Sequence, residues 1–160
     1  MKYIVFSRYE GRIYIEGNAF LQMESAKAKM KEVLGEYVER FTGEELEIVE
    51  DCWSINNFHA SSNINGKQFD IYIVPCEIDT KYLNVSLHNK DIYSMKEFDR
   101  EQDAYFNMEE TLIEYFENDL DLDYDEEEFK KTQRIDWNIS TNYAWSSKCG
   151  DMFEIEILKV

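Results

Sequence analysis

Apolar and polar residues alternate or recur along this chain with periods that predict a short series of strands and helices. Tyr3-Ile4-Val5-Phe6 and Arg12-Ile13-Tyr14-Ile15 flank a Glu10-Gly11 turn, which predicts a β-hairpin. Ala26, Met30, Val33, Leu34, Tyr37, Val38 and Phe41 then recur at spacings of three and four, an apolar stripe for one helix packed on a sheet. Leu46-Glu47-Ile48-Val49 reads as a strand. A Trp53 segment follows, and then Phe69-Asp70-Ile71-Tyr72-Ile73-Val74, whose strict alternation predicts one buried and one wet face.

The same order of elements then repeats. Residues 53–73 match 137–157 without a gap at an offset of 84, with eight identities that include Trp53/Trp137, Ile55/Ile139, Ala60/Ala144, Gly66/Gly150 and Phe69/Phe153. Chance would give roughly one or two. Lys2-Tyr3, Ser7 and Ile13-Tyr14 fall on Lys81-Tyr82, Ser86 and Ile92-Tyr93 at an offset of 79. Met30, Glu32, Leu34, Glu36, Tyr37 and Glu39 fall on Met108, Glu110, Leu112, Glu114, Tyr115 and Glu117 at an offset of 78. The second helix is read as opening at Asn107, with Glu110 completing a capping box.

The fold class is therefore α+β: a tandem duplication of a ββα-plus-strands unit, mostly antiparallel, with one helix per repeat. The repeats are expected at 1–79 and 80–160, a period longer than the ~20–50 residues of solenoids. Trp53, Trp137, Ile55 and Ile139 read as core, and Gly66 and Gly150 as turn residues at positive φ before the last strand.

Composition adds little until charge is considered. The chain has 160 residues, 44% hydrophobic, with one proline and six glycines, so it can bury a core and has no Pro/Gly-rich linker. No apolar run approaches the ~20 residues of a membrane-spanning helix. Cys52, Cys76 and Cys149 stand apart from one another and from His59 and His88, outside metal-ligand spacings. They read as reduced, mostly buried thiols of a cytosolic protein, and neither metal nor cofactor is expected.

The net charge is −17, well beyond the ~2–8 that keeps a small domain soluble. Residues 91–128 hold 16 acids against Lys96 and Arg100, a net of −14. Between helix and Trp the second copy is six residues longer (offsets 78 and 84), and the insertion falls at Asp119-Leu-Asp121-Leu-Asp123-Tyr124-Asp125-Glu126-Glu127-Glu128.

This acidic run is not a calcium loop of the EF-hand type. Tyr124 stands at the glycine position and Lys130 at that of the bidentate glutamate. Nor does a nucleophile, glycine loop or triad arrangement accompany the carboxylates, so no enzyme is expected. Carboxylates three or four apart on a helix lie about 5–6 Å apart at Cβ, and alternate residues of a strand about 6.6–6.8 Å. Either ladder approximates successive phosphates and can occupy a groove built from Lys and Arg. The expected partner-binding residues are Glu109, Glu110, Glu114, Glu117, Asp119, Asp121, Asp123, Asp125, Glu126, Glu127, Glu128 and Tyr124. Tyr105, Phe106, Tyr115 and Phe116 interleave with them as candidate apolar contacts.

In size, acidity, the Asp119–Glu128 cluster and the lack of catalytic motifs, the chain resembles acidic phage and mobile-element inhibitors of nucleic-acid-handling defence enzymes. These include anti-CRISPR and anti-restriction nucleic-acid mimics. The resemblance implies a non-enzymatic inhibitor in the bacterial cytoplasm, binding a basic protein target such as a CRISPR effector or restriction nuclease. It implies no direct binding to nucleic acid or membrane. Other readings are an immunity protein for a basic nuclease toxin, a peptide- or ligand-binding adaptor working near Trp53 and Trp137, and an acidic run that is only a solvated face.

Overall fold

The computed structural model describes residues 1–89, 91–120 and 131–160. The chain divides into two compact units, Met1–Ile78 with Val160, and Asp79–Lys159.

The first unit runs β1 (Lys2–Tyr9), β2 (Arg12–Ile15), α1 (Met23–Thr42), β3 (Trp53–Ile55), β4 (His59–Ile64) and β5 (Lys67–Cys76). Its five strands form one antiparallel sheet in the order β2-β1-β5-β4-β3. The second runs β6 (Tyr82–His88), β7 (Asp91–Phe98), α2 (Glu101–Glu114), β8 (Trp137–Ile139), β9 (Tyr143–Ser146) and β10 (Phe153–Lys159). Its order is β7-β6-β10-β9-β8, again antiparallel throughout.

The sequence offsets reappear as ladder register. Ser7 faces Ile71 as Ser86 faces Ile155, and Trp53 faces Ser62 as Trp137 faces Ser146. The fold is α+β with two similar units.

Each helix lies over one face of its own sheet. Ala26, Met30, Val33, Leu34, Tyr37 and Val38 of α1 meet Val5, Ala60, Phe69, Ile71 and Ile73 in one core. Ala104, Met108, Leu112, Tyr115 and Phe116 meet Trp137, Ala144, Phe153, Ile155 and Ile157 in the other. The turns Glu10-Gly11 (φ 51° and 80°) and Asn65-Gly66 (φ 55° and 77°) hold two successive residues in the left-handed region. This is the requirement of a two-residue hairpin, and it explains the glycine in each pair.

Several local expectations are corrected. Leu46–Ile48 is a 3-10 turn and not a strand. Leu46 turns into the core while Ile48 is 66% exposed. The Leu46 carbonyl accepts the Trp53 indole N–H at 2.9 Å, which takes it out of any ladder. Helix α2 begins at Glu101, not Asn107. Asn107 is interior to it and accepts from Asn84 Nδ2 at 3.2 Å, while Glu101 and Asp103 occupy the first turn, where the helix dipole favours acids. Ile55 is 41% exposed because it ends an edge strand. Cys76 is buried and Cys52 half-buried, but Cys149 is exposed, in the tight turn Lys148–Gly150 at φ 59°.

The second face of the last strand is not simply wet. Asp70 is buried and pairs with buried Arg8 at 2.8 Å. Among the described residues no helix is long and apolar enough to cross a membrane.

Candidate partner-binding surface

Helix α2 commits one side to its sheet through Ala104, Met108, Thr111 and Leu112. That choice leaves Phe106, Glu110, Glu114 and Glu117 on the exposed side. Spacings of four and three bring the three carboxylates into neighbouring positions along one stripe. Phe106, 54% exposed, heads it. After Glu114 the helix widens into a π-helical turn, Tyr115–Asp119, closed by Leu120 N–H on the Tyr115 carbonyl at 3.3 Å.

The placement of these acids opposes the helix dipole. The last turn of α2 carries no basic residue, and Glu114, Glu117 and Asp119 sit at the end whose unsatisfied carbonyls repel negative charge. Each such charge costs on the order of 0.3–1 kcal/mol at a surface. A helix built for stability alone would carry Lys or Arg there.

The expected residues thus separate. Glu110, Glu114, Glu117 and Asp119 are exposed, and Glu109 is half-buried and accepts the Tyr105 hydroxyl at 3.1 Å. Asp119 also has a local duty, accepting the Tyr93 hydroxyl at 3.4 Å. Its charge pushes the Tyr93 phenol above the ordinary range. Asp121, Asp123, Tyr124, Asp125, Glu126, Glu127 and Glu128 lie outside the described residues. Tyr115 and Phe116 do not interleave with the acids as contacts: both are core, because they continue the buried stripe of α2.

Trp53 and Trp137 are likewise structural. Trp137 is buried in the second core and donates to Thr132 Oγ1 at 3.1 Å; Trp53 is half-buried against the first. Among the described residues no group of three or more His, Cys, Asp or Glu is arranged to hold a metal ion.

Sequence reasoning missed a polar device repeated in both units. Asp70 on β5 accepts from Arg8 at 2.8 Å and Gln68 at 3.0 Å, and lies 3.1 Å from His59 Nε2 on β4. At the matching positions of the second unit, Tyr143 on β9 donates to Glu154 on β10. Two residues along β10 from Glu154, Glu156 is pushed up to about 6 by burial and by Glu154. The signal was present as the charge match Asp70/Glu154, but alternation alone assigned both to solvent.

Comparison with known proteins finds no matching family model, no matching curated protein and no matching solved structure.

Proposed function

We propose that the chain is a non-enzymatic inhibitor whose second unit lays an acidic surface into the nucleic-acid groove of a basic protein. The observation that carries this reading is the exposed row Glu110, Glu114 and Glu117 on α2, ending at Asp119 where the helix dipole disfavours acids. Such a row attracts the Lys and Arg side chains that line a DNA or RNA channel. It also steers encounter, since a strongly charged surface raises association rates well above those of neutral pairs.

The target class is a CRISPR effector or a restriction nuclease. The interaction is steric: the carboxylates hold the positions phosphates would take, and the nucleic acid is excluded. Phe106, exposed at the head of the row, supplies an apolar anchor beside the charge.

The test is a cleavage assay across a panel of CRISPR effectors, restriction nucleases and nuclease toxins, each with and without the chain. Inhibition of an effector or restriction enzyme that is relieved by excess DNA supports the reading. Inhibition confined to a toxin makes the chain an immunity protein, and failure to displace nucleic acid from any of them rejects the acidic decoy.

A further inference from the structure

A second docking surface lies on the first unit and does not rest on the reading of α2. Five of the six glycines stand at positive φ, and Gly35 is the exception, in the middle of α1. Glycine disfavours a helix interior relative to alanine, so this residue works against its own helix. Packing within the chain does not require it: a β-carbon built on Gly35 meets nothing within 4 Å.

Gly35 belongs to a bare strip on the outer side of α1. Ala28 precedes it by seven residues, close to two helical turns, so the two lie on one line. With Leu46 of the following 3-10 turn they line a groove of about 500 Å³. At the helix offset of 78 the second unit carries Phe106 for Ala28 and Ile113 for Gly35. Side chains thus fill on α2 what α1 leaves open.

The rim of the strip is acidic. Glu32, Glu36, Glu39, Glu45 and Glu47 stand around it with Lys31. Lys31 is tied to Glu47 at 3.1 Å, and Lys29 to Glu32 at 2.8 Å. Five acids against these two lysines leave a net charge of −3. Arg40 lines a different groove, with Tyr9 and Phe41. Glu39 and Glu45 make no ion pair among the described residues.

Strip and rim together define the occupant. A helix face without side chains lets a second helix come to the near end of the usual 8–10 Å between axes. A spacing of seven suits a helix laid along α1. The acidic rim complements Lys and Arg beside the apolar stripe of that helix. A second copy of α1 does not fit, because it sets acids against acids.

We propose that this face of α1 receives a basic amphipathic helix of a partner protein, with an apolar side chain seated over Gly35 and basic side chains on the glutamate rim.

The test uses the full chain with assigned backbone amide signals in NMR. The probe is a capped peptide of leucine and lysine, with leucine at helical spacings of three and four. Its control holds the same residues reordered so that leucine falls on all sides of the helix, and both are titrated at about 0.15 M salt. The striped peptide shifts the Ala28, Gly35 and Glu39 amides saturably, and the reordered one binds at least about tenfold more weakly. Gly35→Leu points into open space and suits a helix better than glycine, so its thermal midpoint is equal to the parent's or higher. It nevertheless weakens binding at least about tenfold, because leucine occupies the strip. Glu39→Gln with Glu45→Gln weakens binding through the rim, while removing charge from Glu110 and Glu114 leaves it unchanged. Equal binding of the two peptides reduces the effect to charge and overturns the proposal. So do shifts centred on α2, or a Gly35→Leu chain that melts like the parent and binds as well.

Discussion

Tyr115 lies flat on Phe153, with ring centroids 4.0 Å apart and planes 8° apart, and Tyr37 lies on Phe69 at 4.0 Å and 6°. The helix partners are 78 apart in sequence and the strand partners 84 apart. The six-residue insertion between them therefore leaves the packing of helix on last strand untouched. In each unit this stack joins the end of the helix to the central strand of the sheet. A double-mutant cycle with Tyr115→Leu and Phe153→Leu will give a coupling of about 0.5–1.5 kcal/mol, as aromatic pairs do beyond their buried area. The cycle at Tyr37 and Phe69 will give a similar value. Additive losses in either unit contradict a specific ring contact.

The buried pair Arg8–Asp70 behaves differently when one partner goes. Asp70 is held by Arg8, Gln68 and His59, so Asp70→Ala strands a buried guanidinium. Removing one partner of such a pair costs about 3–5 kcal/mol. Denaturant melts will show Asp70→Ala well below the parent, and Arg8→Met with Asp70→Leu recovering most of the loss. If Asp70→Ala melts like the parent, the pair contributes little to the fold.

How far these features were legible in the sequence depends on the length of the pattern that encodes them. The duplication, the hairpins and the last strands were legible because each is written over many positions, and a shift by one would turn Ile71 or Ile155 out of its core. Leu46–Val49 was not, since four residues of alternation fit a strand or a turn, and the Leu46 carbonyl is bonded to the Trp53 indole seven residues on. The start of α2 was missed because its cap is Arg100, whose side chain makes no capping bond, while Asn107 mimics a cap inside the helix. The acidic stripe on α2 follows from helical spacing once Met108 and Leu112 are placed inward. The Asp70 network depends on strand pairing between residues 62 positions apart, which no local pattern records.

Glu156 makes stability depend on pH. Burial, and the nearby Glu154, hold its carboxyl up at about 6 from an ordinary value of 4.5. The folded unit therefore favours the protonated form, and the ionised form weakens it. The penalty is absent below pH 4.5, grows as pH rises through 6 and is complete above it. With solvent screening of this partly exposed group it amounts to about 1 kcal/mol. Glu156→Gln will be more stable than the parent by about that amount at pH 7.5 and equal to it at pH 4. An equal difference at both values rules out ionisation as the cause.

Asp119 can be tested by the titration of its neighbour. Its charge is the largest reason the Tyr93 phenol ionises above the ordinary range. Asp119→Asn will bring one tyrosine back towards that range in an ultraviolet difference titration, while the exposed bond, worth about 0–1 kcal/mol, barely alters the melt. An unchanged titration means that the two side chains do not meet in solution.

The central claim, that α2 carries the surface that meets a basic groove, is tested most directly by association kinetics. The triple variant Glu110→Gln, Glu114→Gln and Glu117→Gln removes charge from exposed positions without touching the core. Once the cleavage panel has identified a target, surface plasmon resonance is run with parent and variant at low and at about 0.15 M salt, where the screening length is about 8 Å. The account predicts that the variant associates at least about tenfold more slowly at low salt, with a smaller change in dissociation, and that salt narrows the gap. A variant that associates as fast as the parent at both salt concentrations contradicts it, and makes the acidic row of α2 a solvated face.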